Sequence, residues 1–182
     1  MRCFVALPLS NKIVNGLNEI QNGLSKSGFK LRWVKPENIH LTIAFMGEIT
    51  QEQVDKIGIG LEEIAKDFQP FEIVIGKLGA FASPKNARVV WVGCREENGL
   101  LRNLQKAVVK MIKAENIPLE SKKFHPHLTL GRANPPIKKL AVPENIWNCS
   151  PGILNVTEIN IYQSNLSSDG ASYSILKSVP IK

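Results

Sequence analysis

Hydrophobic positions along the chain keep two periods in turn, two and about 3.6, which mark strands and helices. Arg2 to Leu7 reads as a buried strand. Ser10 can cap a helix whose apolar residues, Ile13, Val14, Leu17, Ile20 and Leu24, follow helical spacing, with Gly28 as its stop. Phe29 to Val34 alternates as a strand, Pro36-Glu37-Asn38 makes a turn, and Ile39 to Phe45 is the next strand. Thr50-Gln51-Glu52-Gln53 then has the form of a capping box, ahead of a helix striped by Val54, Ile57, Leu61 and Ile64.

From Phe71 the order starts again. Phe71 to Phe81 and Arg88 to Gly93 read as strands joined across Ser83-Pro84-Lys85-Asn86. A helix from Asn98 to Ala114 turns Leu100, Leu101, Leu104, Ala107, Val108, Met111 and Ile112 to one side. Its polar side, with Arg102, Lys106, Lys110 and Lys113, reads as solvated surface rather than an RNA track. A basic loop, Ser121-Lys122-Lys123, leads into a strand that Pro135-Pro136 ends. Val156 to Gln163 and Tyr173 to Val179 are the last strands, around the polar loop Ser167-Ser168-Asp169-Gly170. Two halves with one order of elements, about 1–70 and 71–182, suggest a duplicated α+β unit within a single domain.

Two of these strands, one from each half, carry the same arrangement: His40-Leu41-Thr42-Ile43 and His127-Leu128-Thr129-Leu130. In an extended strand residues i and i+2 share a face, so each segment shows an imidazole and a hydroxyl to one side. The aliphatic residues go to the other side, where a core can take them. The chain holds three His, and chance would place two of them in this pattern roughly one time in a thousand under the period-two template. Histidine, with a free pKa of about 6.5, can take a proton from water or give one to a leaving oxygen, the two roles that phosphate-ester hydrolysis needs. Threonine hydroxyls are short donors for the non-bridging oxygens, where charge must be held. One such strand alone reads as a half-buried strand with a hydrogen-bonded His. The pair reads as a site, with the two motif strands facing each other across a central cleft.

The paired His-x-Thr segments, half a chain apart, resemble the motifs of the 2H phosphoesterases. Their surroundings are similar to the bacterial and archaeal RNA 2′,3′-cyclic phosphodiesterases, first described as 2′-5′ RNA ligases. The resemblance is carried by Met1-Arg2-Cys3-Phe4-Val5-Ala6-Leu7, by Trp33-Val34-Lys35-Pro36-Glu37-Asn38-Ile39-His40-Leu41-Thr42 and by Phe45-Met46-Gly47-Glu48. It continues through Gly79-Ala80-Phe81, Phe124-His125-Pro126-His127-Leu128-Thr129-Leu130-Gly131-Arg132 and Ile161-Tyr162-Gln163-Ser164. Met46 stands where the family usually has Leu, and residues from about 135 to 151 carry no transferable role.

The resemblance implies a two-lobed α+β fold, with two antiparallel sheets facing a cleft and helices outside. It implies opening of RNA 2′,3′-cyclic phosphate ends to 2′-phosphates, with His40 as proton donor to the departing 3′ oxygen and His127 as proton acceptor from water. Thr42 and Thr129 would serve the phosphate. A 5′-hydroxyl in place of water would give a weak 2′-5′ ligation without ATP, and the chain has no Gly-x-x-x-x-Gly-Lys-Ser/Thr loop. A non-catalytic RNA-end-binding module on the same scaffold is the alternative, and two intact His argue against it.

Arg132 completes the matching string and can clamp a phosphate. Simple alternation nevertheless sends it to the face opposite His127, unless a bulge, a strand end or the chain's exit intervenes. Phe45 and Trp33 are of the type that stacks on a base, and Tyr162 joins Phe45 and Arg132 as a candidate for substrate binding. His125 shares a face with His127 in a regular strand. Few carboxylates or cysteines lie near that pair in sequence, so no metal and no cofactor are expected.

Composition adds bounds. A chain of 182 residues suits one domain with a proper core. A net charge of +7 favours a polyanionic partner; RNA with a 2′,3′-cyclic phosphate end is expected, with tRNA fragments among the candidates. Cys3, Cys94 and Cys149 are odd in number and far apart, which suits small buried hydrophobes in a reducing, cytoplasmic setting. No apolar run approaches the ~20 residues of a membrane span, and Met1 to Ser10 lacks the long apolar stretch of a signal peptide. A monomer with no membrane partner is the expectation.

Overall fold

Burial on both faces makes Arg2–Leu7 (β1) a central strand: Cys3, Val5 and Leu7 are wholly buried on one side, Phe4 and Ala6 on the other. The structure, a computed structural model, describes residues 1–119, 123–167 and 170–182. The other strands are β2 (Arg32–Trp33), β3 (Leu41–Glu48), β4 (Phe71–Ser83), β5 (Asn86–Arg95), β6 (His127–Ile137), β7 (Gly152–Val156), β8 (Glu158–Ser167) and β9 (Gly170–Pro180). The helices are α1 (Asn11–Lys26), α2 (Gln51–Ala65), α3 (Leu100–Ala114) and the short α4 (Glu144–Trp147). A 3-10 turn occupies Pro36–Asn38.

The strands form two antiparallel sheets, ordered β3-β1-β8-β9 and β2-β6-β5-β4-β7, which with the helices make the α+β fold expected. The sequence halves interleave. β8 and β9 complete the first sheet, while β2 forms an edge of the second. α2 and α3 pack on each other and α3 reaches β3, whereas α1 packs on β7 and the 3-10 turn. The buried apolar residues of both sheets and the helices join in one core. Among the described residues no helix is long and apolar enough to cross a membrane.

Local signals fixed the helix starts. Ser10 Oγ accepts from the Ile13 amide, and the Thr50–Gln53 capping box has both of its bonds. α3 begins at Leu100 rather than Asn98, because Gly99 takes a left-handed φ of 73° and the Glu96 carboxylate caps the Leu100 amide at 3.0 Å. The strand expected over Phe29 to Val34 shrinks to two residues: the Phe29 amide is drawn back to the Leu24 carbonyl, and Pro36 has no amide to give. Pro135-Pro136 does not end β6. The ladder with β5 skips from Arg132–Val89 to Ile137–Ala87, so both prolines sit where no ladder bond is needed. α4 lies in a stretch left without assignment, and the strand expected from Val156 divides at Thr157, with Val156 ending β7 and β8 starting at Glu158. Ser121 and Lys122 of the basic loop, and Ser168 and Asp169 of the polar loop, lie outside the described residues. Cys3 and Cys94 are buried, Cys149 is half-buried, and all three are free thiols.

Each motif strand carries an extra residue at the fourth position of its motif. In β3, Thr42 pairs with Ala6 but Ala44 pairs with Val5, which leaves Ile43 as the bulge. In β6, Thr129 pairs with Trp91 but Gly131 pairs with Val90, which leaves Leu130 as the bulge. Directly paired residues share a face. Phe45, opposite Phe4, therefore returns to the face of Thr42, and Arg132, opposite Val89, returns to the face of Thr129. The bulged Leu130 carbonyl accepts from the Val34 amide and from Gln21 Nε2, both at 2.9 Å. The same Gln21 amide also donates to the Val34 carbonyl at 2.8 Å, although Gln21 is only 5% exposed. Gln21→Leu should destabilise the fold by about 1–3 kcal/mol, the cost of buried polar groups losing a partner. Guanidinium denaturation reads this directly, and an unchanged midpoint would refute the role of Gln21.

Candidate active site

His40 lies immediately before β3, and its ring stacks on Phe4 with centroids 4.5 Å apart and planes 24° off parallel. Tyr173 meets it edge-on at 5.1 Å and Tyr162 lies at 6.0 Å. Its Nδ1 is 2.8 Å from the Asn38 carbonyl. A carbonyl can only accept, so Nδ1 carries the proton and the neutral ring presents an Nε2 lone pair. Asn38 is itself tied down, its side-chain amide donating to the Ala171 carbonyl of β9 at 2.8 Å.

His127, the first residue of β6, repeats the device. Its Nδ1 donates to the His125 carbonyl at 2.7 Å, and Phe81 and Trp91 present their rings at 5.0 and 6.0 Å. β3 and β6 approach each other directly, which brings the two motifs together. Neither histidine keeps its ordinary proton affinity. Burial pushes His40 down to about 4, the Asn38 carbonyl opposes the shift, and the charge of His127 adds to it. Burial also lowers His127, opposed by the His125 carbonyl and helped by the charges of His125 and Arg132. At neutral pH these lowered affinities leave both rings as neutral bases.

The structure brings most of the sequence candidates to this cleft. Thr42 and Thr129 are half-buried on the same faces as Ala6 and Trp91. Phe45 is 40% exposed beside Phe4, with the Arg2 guanidinium 4.9 Å over its ring. Tyr162 stacks on Phe4 at 5.2 Å, and its hydroxyl accepts from Asn160 Nδ2. Arg132 arrives by the bulge, close enough for its charge to act on His127. Trp33 does not reach the cleft: it pairs with Gly131 and packs on the core from the other face. His125 is exposed, with its ring 6.3 Å from that of His127. Among the described residues no three His, Cys, Asp or Glu gather as they would around a metal ion.

Sequence reasoning missed Phe4, Asn38, Tyr173, Phe81 and Trp91, which form the walls around the two imidazoles. Phe4 is the centre of one aromatic layer, touching His40, Phe45, Tyr162 and Tyr173. Nothing local marks it, since a Phe in a buried strand has the appearance of core.

Residues 7–91 match the family described as LigT like Phosphoesterase. The RNA 2′,3′-cyclic phosphodiesterase of Archaeoglobus fulgidus is 35% identical over 97% of this chain and 98% of its own length. The chain belongs to the LigT-like phosphoesterase family. The Aquifex aeolicus protein of the same name is 33% identical over 97% of this chain and 95% of its own. Among solved structures, E. coli LigT complexed with 3′-AMP superposes with a TM-score of 0.80 at 25% identity, covering 99% of this chain and 97% of that one. TT0787 of Thermus thermophilus, at 23% identity, shares the fold with a TM-score of 0.82, covering 100% of this chain and 98% of that one. The protein is thus an enzyme, a 2H phosphoesterase, and the alternative of a non-catalytic module is set aside.

Burial of His40 has a measurable consequence for stability. The unfolded chain takes up this proton near pH 6.5 and the folded chain only near 4, so between those values the unfolded state binds more protons. Stability should therefore fall as pH drops from 6.5 towards 4, and Phe4→Ala, by letting water reach the ring, should move the His40 titration upwards. Ring-proton NMR checks both the low value and its rise, and a His40 titration near 6.5 in the native protein would refute the account.

Proposed function

We propose that this phosphoesterase opens RNA 2′,3′-cyclic phosphate ends to 2′-phosphates by two-histidine acid–base catalysis. The observation that carries the reading is the matched pair of imidazoles, each held by the carbonyl two residues behind it and each turning Nε2 to the outside of that bond. The relatives from Archaeoglobus fulgidus and Aquifex aeolicus, both RNA 2′,3′-cyclic phosphodiesterases, support the same substrate class.

In this reading His127 Nε2 takes a proton from water as its oxygen attacks phosphorus. The bond from phosphorus to the 3′ oxygen breaks, and that oxygen takes the proton from His40 Nε2. Thr42 and Thr129 donate to the non-bridging oxygens, and Arg132 balances their charge. Phe45 offers a face for the terminal base and Tyr162 lines its aromatic wall. His40 must acquire its proton with the substrate, because burial keeps it neutral in the empty site. An anionic phosphodiester beside the ring favours the charged form and supplies that bias.

The same geometry lets a 5′-hydroxyl replace water, so weak 2′-5′ ligation without ATP follows from microscopic reversibility. One histidine comes from each half of the sequence, which supports a single domain built from a duplicated unit. All the proposed residues lie in one chain, so a monomer suffices. RNA ends such as tRNA fragments, together with three free thiols, fit a cytoplasmic setting.

On a cyclic-phosphate-ended oligonucleotide, with EDTA present, His40→Ala and His127→Ala should each lower kcat by ~10²-fold or more. The double variant should be far less than multiplicatively worse, since both rings act in one step. Near-wild-type turnover in either single variant sinks the assignment, as does activity that EDTA abolishes and Zn²⁺ restores. The pH profile follows from the lowered affinities: kcat/KM should trace a bell centred below pH 6.5, with limbs that belong to the pair. The kcat profile should sit at higher pH, because bound phosphate favours the protonated rings. A kcat/KM maximum above pH 7 would contradict this.

A further inference from the structure

Beyond Thr129, β6 leads to a group of cations of which the chemistry above uses only Arg132. Arg32 of β2 stands directly opposite Arg132 of β6 and so shares its face. Lys30 and Asn134 join the two arginines around a pocket of about 330 Å³. Like charges directly opposed on antiparallel strands repel, so this pairing costs stability in the empty protein. Among the described residues none of the three cations has a carboxylate within ion-pair distance. The pocket has three cationic side chains and an amide but no aromatic ring, which suits an anion rather than a base. Guanidinium forks match phosphate oxygens in pairs, so two of them make the charge conflict an asset once a phosphate arrives. The charge of Arg132 also reaches His127, so the pocket adjoins the reacting phosphate.

We propose that the Lys30–Arg32–Arg132–Asn134 pocket binds the phosphodiester next upstream of the cyclic phosphate. The inference rests on the reading of this enzyme as a cyclic phosphodiesterase and sharpens its substrate to a chain of at least two nucleotides. Arg132 stands between two phosphates, while Arg32 and Lys30 serve the upstream one. A cyclic mononucleotide leaves the pocket empty and the arginines in mutual repulsion.

The test is a ratio: kcat/KM for a diadenylate ending in a 2′,3′-cyclic phosphate, divided by that for adenosine 2′,3′-cyclic monophosphate. In the wild-type protein the ratio should be about tenfold or more, the scale of one charge-assisted phosphate contact. Arg32→Ala should cut it about fivefold, Lys30→Ala with Arg32→Ala should bring it near one, and Arg32→Lys should keep part of it. Each ratio compares two substrates on one enzyme, so partial unfolding cancels. A diadenylate with an uncharged methylphosphonate linkage should lose the wild-type advantage. A ratio near one in the wild type, a ratio untouched by Arg32→Ala, or an advantage kept by the methylphosphonate would each overturn the proposal. Those outcomes leave mononucleotide turnover intact; if the wild type opens neither substrate, the cyclic phosphodiesterase reading fails and this inference falls with it.

Discussion

A β-strand shows every second residue to one face, so a strand that must present residues n, n+2 and n+5 together has to break its alternation once. Ile43 makes the break in β3 and Leu130 makes it in β6. The result is two parallel sets, His40, Thr42 and Phe45 on one sheet, His127, Thr129 and Arg132 on the other. Each set holds an imidazole, a hydroxyl and one larger group, aromatic in the first and cationic in the second. The sets differ in that one group alone, since aromatic rings also flank both imidazoles, Phe4 and Tyr173 in the first and Phe81 and Trp91 in the second.

The imidazoles are held by a second constraint. Each ring is fixed through Nδ1 by the backbone just ahead of its strand and enclosed by aromatic rings that arrive from other strands. The carbonyl favours the charged ring while the aromatic walls oppose it, and burial wins at both sites. An anion beside either ring would favour the charged form and so oppose the effect of burial. A solvent-exposed histidine pair would respond less, because water already screens and supports the charge.

How much of this was legible depended on whether the signal was local. The caps at Ser10 and Thr50 and the apolar stripes of α1 and α2 are set by neighbours in sequence, and they read correctly; the paired His-x-Thr segments are a signal just as local. The bulges were hidden. Ile43 and Leu130 are both buried and continue the aliphatic alternation, while the residues after them, Ala44 and Gly131, are too small to show which face they occupy. Gln21 carries no local signal of its role, which is to close the bulge of a strand 109 residues away. The prolines at 135 and 136 misled for the opposite reason, since a rule about ladder bonds was applied where the ladder is interrupted. The aromatic walls could not be read at all without the pairing of strands.

The interleaving of the halves also sets an order of events during synthesis. β1 is made first, but its sheet has only β3 as a partner until β8 and β9 follow at residues 158–180. A two-stranded ribbon is marginal on its own, whereas the second sheet has β4, β5 and β6 in place much earlier. The wall carrying His127 can thus stand while the wall carrying His40 is still incomplete. On the ribosome, the sheet that carries His40 is thus completed only after the strand that carries His127 has been made.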